Sequence, residues 1–459
     1  MKKSILLGTA ALAAVALAAP QAADAGETKI GGYYQFRMVN TDNQPGTSGS
    51  GQADANYWAQ RLQLNMDFKA SDKSHAHMVT RPVNSKVVSG ADATIAGDWT
   101  INQLWLETEA YGFGLKVGNM PIALNDGILV DHDTTSYGTV LMSKTLGPVT
   151  LIGAGVRVAE GAPVGGTAAA GANLANNGDI TLWVLSALGK LKSIDYQLTG
   201  ALLVEEDKAA SAAGTTAVYN AVGNGTGAKL EPNHNVTDSW YALTLGTKVG
   251  SVDVTGTGIY ETGMTNVTSN SQLEEDGFLF ALRAKSKTSF GGWNAYAFWA
   301  GENFTAAVPG GDQPHWSPTW DQGGAGAQDL MEMALTSANG TATTSPNGGV
   351  ATDSSNMWGI GAGLSITAGA WTIKPSLDYA QLVKDDVPTA TYTSVTSHSS
   401  ALYDSAIGGT LGFSTKLQEA TTLDLSATWV DPSRSPLGAV VGVHENTMQY
   451  LQASVKMDF

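Results

Sequence analysis

The sequence predicts an all-β protein: a transmembrane antiparallel β-barrel of about 18 strands. Three observations predict it. Beyond Gly26 the chain is a succession of roughly ten-residue segments in which apolar and polar residues alternate, the pattern of a strand with one face in lipid and one in water. Short and long connections take turns between these segments. No apolar run after residue 25 reaches the length of a spanning helix, and a closed barrel is the other structure that satisfies every backbone polar group in lipid.

The elements follow in order. Lys2 and Lys3 precede an alanine-rich apolar run from Ile5 to Ala19, and Ala23-Asp24-Ala25 offers small residues at the two positions a signal peptidase inspects. Residues 1–25 are therefore the expected cleaved signal peptide and 26–459 the expected barrel. Strands are expected to begin near Ile30, Tyr57, Ser74, Asp98, Leu115, Tyr137, Val149, Asp179, Ser193, Thr237, Val252, Asp276, Trp293, Ser354, Trp371, Leu402, Thr421 and Asn446, which makes eighteen. Weak patterning around Tyr137 and Trp293 leaves sixteen as the alternative. An even total puts both termini on one side.

Eight tight turns join the hairpins, at Lys69–Lys73, Ala110–Gly114, Leu146–Pro148, Leu188–Lys192, Gly250–Ser251, Phe290–Gly292, Ala368–Ala370 and Leu417–Ala420. Between hairpins lie long connections rich in Gly, Ser, Thr, Asn, Asp and Pro, such as 41–56, 160–178, 205–236, 302–353 and 431–445. A compact soluble domain does not carry so many structureless loops. Aromatic residues Tyr33, Phe68, Tyr111, Phe113, Trp183, Trp240, Tyr241, Trp293, Trp371, Trp429 and Phe459 fall near strand ends, where rings with a polar edge favour the headgroup depth.

Composition excludes several classes of function. A net charge of −16 argues against nucleic acid as a partner. The chain has no cysteine, which removes disulfides, thiolate catalysis and cysteine-based zinc sites. The run Gly359-Ile-Gly-Ala-Gly363 lies inside a strand pattern with no helix after it, so it is a packing feature rather than a phosphate loop. No Ser and His pairing near a strand rim suggests an enzyme, and no cofactor is expected.

The last twelve residues, Met448 to Phe459, alternate to a terminal aromatic, with Leu451, Ala453, Val455, Met457 and Phe459 on one face and Gln452, Ser454, Lys456 and Asp458 on the other. This ending resembles the C-terminal strand of Gram-negative outer-membrane β-barrels. The resemblance implies short periplasmic turns, long extracellular loops, and a location in the cell outer membrane among lipid and lipopolysaccharide. It also implies that Phe459 is the assembly signal read by the outer-membrane assembly machinery.

A barrel of this width keeps an aqueous lumen. On the first strand Tyr34, Phe36 and Met38 face lipid, which turns Gln35 and Arg37 inward; on the second, Leu62, Leu64, Met66 and Phe68 turn Arg61, Gln63, Asn65 and Asp67 inward. On the third, Ala76 and Met78 turn His75, His77 and Arg81 inward. Three of the chain's six arginines thus share one face of three neighbouring strands. The connection from Met120 to Thr135 is more apolar than the other loops and carries Asp126, Asp131 and Asp133.

That arrangement resembles the trimeric porins, whose third loop folds into the barrel. The resemblance implies an inward-folded loop at about 120–135, a pore constriction of Arg37, Arg61 and Arg81 facing Asp126, Asp131 and Asp133, and a homotrimer. The plainer reading has the arginines solvated or paired within the wall and the aspartates capping turns. His75, His77 and Gln63 are expected to line the lumen; two histidines two apart on a strand also suit a metal, but no third ligand is identifiable.

The function expected is a porin that passes small hydrophilic solutes and ions by passive diffusion. The alternatives are a substrate-selective channel for sugars or carboxylates and a non-transporting structural or adhesive barrel. In detergent the protein should give a β-dominated circular dichroism spectrum and a heat-dependent shift in electrophoretic mobility; a mainly helical spectrum would refute the fold.

Overall fold

A computed structural model describes residues 26–44, 53–88, 100–159, 179–206, 235–268, 271–301, 304, 357–383, 386–387, 399–400, 403–434 and 447–459. The expected signal peptide lies outside the described residues. The strands are β1 (Glu27–Gln44), β2 (Ala53–Ser71), β3 (Ser74–Val88), β4 (Thr100–Ala110), β5 (Phe113–Leu124), β6 (Val130–Leu146), β7 (Val149–Ala159), β8 (Asp179–Leu191), β9 (Ile194–Glu206) and β10 (Asn235–Val249). They continue as β11 (Val252–Thr268), β12 (Ser271–Thr288), β13 (Gly291–Ala300), β14 (Met357–Ala368), β15 (Trp371–Leu382), β16 (Asp386–Val387), β17 (Ser399–Ser400), β18 (Tyr403–Gln418), β19 (Thr421–Arg434) and β20 (Met448–Asp458).

All but β16 and β17, which pair only with each other, form one 18-stranded antiparallel sheet. Each strand pairs with the next, and β1 pairs with β20, so the sheet is closed. The alternative of sixteen strands fails, because the segments around Tyr137 and Trp293 belong to β6 and β13, each paired on both sides. Eighteen strands spaced and tilted as usual give a backbone diameter of about 35 Å.

The eight short turns each leave two residues between strands; six fall within the expected segments, while those expected at 188–192 and 290–292 lie at 192–193 and 289–290. Tyr111 and Gly112 both have positive φ, the mark of a two-residue type I′ hairpin, whose twist matches that of its flanking strands.

Alternation then assigns the two faces. Leu185 is 67% exposed while its neighbours Val184 and Ser186 are buried at 6% and 1%. The same alternation exposes Leu104, Leu106, Tyr241, Leu243, Leu245, Phe280, Leu282, Leu451 and Val455. An apolar outer surface of this extent is what lipid requires of a barrel. Two of the expected girdle aromatics face inward instead. Trp240 is fully buried and belongs to the interior apolar cluster, because exposed Tyr241, Leu243 and Leu245 fix the opposite phase. Tyr33 donates its hydroxyl to inward-facing Gln63 (3.3 Å).

The barrel seam ends on Phe459. Its backbone N–H donates to Gly32 O and its carbonyl accepts from Gly32 N–H, each at 3.0 Å. Deleting Phe459 removes both bonds, at a cost of about 1 kcal/mol each. The deletion should therefore lower the temperature at which the barrel loses its heat-modifiable mobility; an unchanged transition would show that the seam does not depend on this pair.

Candidate functional site

The connection between β5 and β6 is shorter than its sequence suggests, because both strands run on beyond the wall. Leu124 pairs with Val130, Ala123 with Asp131 and Ile122 with His132, after which the register jumps to Met120 with Tyr137. Residues 133–136 therefore stand opposite Pro121 alone, and proline has no N–H to give to the ladder. Below this bulge the strands are barrel wall; above it residues 122–132 form a separate hairpin. Asp131 sits on that hairpin and Asp133 in the bulge, while both side chains lie outside the described residues.

The hairpin tip bends tightly. Asn125, Asp126 and Gly127 all take positive φ, a conformation that Asn, Asp and Gly tolerate best. Ile128 N–H donates to Asn125 O (3.2 Å) and Leu129 N–H to Leu124 O (3.3 Å). The tip reaches β10 and β12, which lie four and six strands further round the barrel than β6.

Three contacts fasten it there. Asn125 Nδ2 donates to Thr244 Oγ1 (3.1 Å), whose hydroxyl pairs with that of Thr257 (2.9 Å). Arg283 Nη1 donates to Asp126 Oδ2 (2.9 Å) and to Asp126 O (3.0 Å). Ile128 and Leu129, each 1% exposed, join the interior apolar cluster with Leu182, Leu203, Trp240, Ile259 and Leu279. The hairpin thus occupies a chord of the lumen, and β13 to β15, β18 to β20 and β1 to β4 bound the rest.

Across from that chord stand the early strands. Register puts Arg37 beside buried Ser454 and Arg61 beside Gln35, and Gln35 Nε2 donates to Ser454 Oγ (3.0 Å). Arg81 Nε donates to Gln63 Oε1 (3.0 Å), and Gln63 Nε2 to Asn65 Oδ1 (3.1 Å). These groups lie opposite in phase to exposed Met38 and Trp58, so they face the lumen. Asp126, however, is bonded to Arg283 on β12, not to any of the three expected arginines. The phase of exposed Phe280 and Leu282 carried the signal for an inward Arg283.

Nearer the short turns, His75 and His77 also face inward, and their rings stack at 6.3 Å. His77 Nδ1 bonds the Asp67 carboxylate, and its ring stacks on Trp105 at 4.7 Å. Trp105 faces the lumen, opposite in phase to exposed Leu104 and Leu106. Lys116 Nζ lies 3.0 Å from Glu107. Further round the wall Lys285 pairs in register with Asp253, two positions from Arg283 and on the same face. Lys374, two positions from Ser376, shares the face opposite exposed Leu377. Among the described residues no group of three His, Asp or Glu side chains comes together to hold a metal.

A closed barrel of eighteen strands with an inward hairpin and a polar inner wall has the fold of outer-membrane porins. The solved structures most like it include Pseudomonas aeruginosa OccK8 (OprE), with a TM-score of 0.53 at 9% identity over 94% of this chain and 98% of that one. A BenF-like porin from Pseudomonas fluorescens Pf-5 gives 0.54 at 10% identity over 94% and 98%. Pseudomonas aeruginosa OpdK, solved with vanillate, gives 0.51 at 9% identity over 94% and 98%. No family model matches the sequence, and no curated protein matches it. At such identities the likeness fixes the fold and leaves the solute to this chain's own residues.

Arg283→Met should release the tip. The lost charge-assisted bonds cost roughly 1 kcal/mol after screening at the half-exposed Asp126. Single-channel records should then show larger open-state noise and altered conductance; a trace identical to the parent's would show that the pair does not hold the hairpin.

Proposed function

We propose that the protein is an outer-membrane porin, a channel rather than an enzyme, through which small hydrophilic solutes and ions diffuse passively. The observation that carries this reading is the hairpin tip bonded to Thr244 and Arg283, which narrows the lumen without, among the described residues, filling the sector beside β1 to β4. In this reading residues 1–25 are a cleaved signal peptide, the short turns are periplasmic, and Phe459 is the assembly signal for the outer-membrane assembly machinery. A homotrimer set among lipid and lipopolysaccharide completes the proposal.

A second reading makes the channel selective for carboxylates. Inward-facing Arg37, Arg61, Arg81, Arg283 and Lys374 favour it, since guanidinium forks match carboxylate geometry. So does the vanillate bound by the fold relative OpdK. A structural or adhesive barrel has no comparable support, and the absence of conductance would point to it.

Fixed charges around a narrow aqueous gap with low-dielectric walls focus the field on passing ions. Replacing Asp126, Asp131 and Asp133 together by Asn should therefore lower cation preference, and neutralising Arg37, Arg61 and Arg81 should raise it. Both shifts should fade near 1 M salt, where the Debye length is about 3 Å. Reversal potentials across a salt gradient decide the matter. If neither triple variant moves them, these charges do not line the path.

A further inference from the structure

We infer that His75 and His77 form a second selectivity element, set by protons, on the lumen wall near the short turns. This rests on the channel reading above. Its basis is a cluster of charged groups distinct from the hairpin tip.

Both histidines lie on β3 within four residues of the turn at 72–73, and both face the lumen between β2 and β4. Every neighbouring element presents charge to them. From β2, register places Asp67 beside His77 and Lys69 beside His75. From β4 it places Glu107 beside His75 and Trp105 beside His77. Glu107 Oε2 also lies 3.8 Å from His77 Nε2. From β5, Lys116 holds that same Glu107 at 3.0 Å. In the turns, His75 Nε2 reaches Asp72 O (3.4 Å), Lys69 pairs with the Asp72 carboxylate, and Lys73 pairs with Glu109 (3.2 Å).

Formal charge then depends on the imidazoles. Asp67, Asp72, Glu107 and Glu109 oppose Lys69, Lys73 and Lys116, so with neutral histidines the patch is acidic by one charge. Two protonated imidazoles make it basic by one. Imidazole is the side chain whose charge changes between pH 5 and 8. The sign of the patch therefore follows the protonation of its imidazoles, while the arginines and lysines keep theirs. The groups are partly exposed to the lumen, so passing ions sense the reversal. Trp105 stacked on His77 holds the ring in place between its two carboxylates.

The test is the reversal potential of the full-length protein in planar bilayers under a potassium chloride gradient, at pH 8 and pH 5. The parent should lose cation preference on acidification, and the double variant His75→Gln, His77→Gln should lose most of that shift while still conducting. Glu107→Gln, which removes one negative charge at either pH, should move the parent's selectivity at pH 8 in the same direction as acidification. An unchanged pH response in the double variant, or no shift from Glu107→Gln, overturns this inference alone. A parent protein that conducts nothing overturns the channel reading and this one with it.

Discussion

Closure of the hydrogen-bond ladder between β1 and β20 is the constraint on which the remaining structure depends. In a hydrocarbon surround an open sheet edge would leave a row of unpaired N–H and C=O groups, each costing several kcal/mol. Pairing from Tyr33 with Asp458 to Asp42 with Gln449 removes that edge, and the Gly32–Phe459 bonds extend the seam to the end of the chain. Once the ring is closed, the two-residue period of every strand has only one consistent phase, and a slip of one residue anywhere would turn leucines into the lumen. The lumen's chemistry is thus a consequence of the lipid face.

That dependence explains what could be read from the sequence. Wall strands bounded by short turns were legible, because local alternation and turn chemistry both mark them; β7, β11, β15 and β19 begin at Val149, Val252, Trp371 and Thr421, where the pattern puts them. β6 begins at Val130, ahead of the Tyr137 that the pattern marks, because the hairpin beyond the bulge continues the ladder without continuing the barrel's alternation. Trp240 departs from the girdle for a related reason. It is a large aromatic facing a lumen expected to be watery, and it fits there because the hairpin brings apolar Ile128 and Leu129 into the same cluster.

The pairing of Asp126 with Arg283 was out of reach of local pattern. The two residues are 157 positions apart, and nothing nearby in the chain marks either as the other's partner. Each half was visible: an aspartate in an apolar loop, and an arginine in phase with the lumen. What sequence lacks is the distance the hairpin travels, which is set by the bulge at 133–136 and by the length of paired strand beyond it.

The wall that receives the hairpin, and the strands just beyond it, are built for close packing. Next to Arg283 in register stands Tyr296, whose hydroxyl donates to Asp378 Oδ1 (2.8 Å), and between them Gly361 is so close that a Cβ there would collide with both the ring and the carboxylate. Gly263 is likewise covered by the Asp238 carboxylate. Glycine on a strand is usually a weakness; here it lets a neighbour's side chain lie flat against the backbone. At the anchor itself the charge of Asp126 is matched by Arg283. On the other side of the lumen stand Gln35, Arg37, Arg61 and Arg81. The charge fixed on a lumen wall, rather than the acidic total of a chain, governs the field in the gap it encloses.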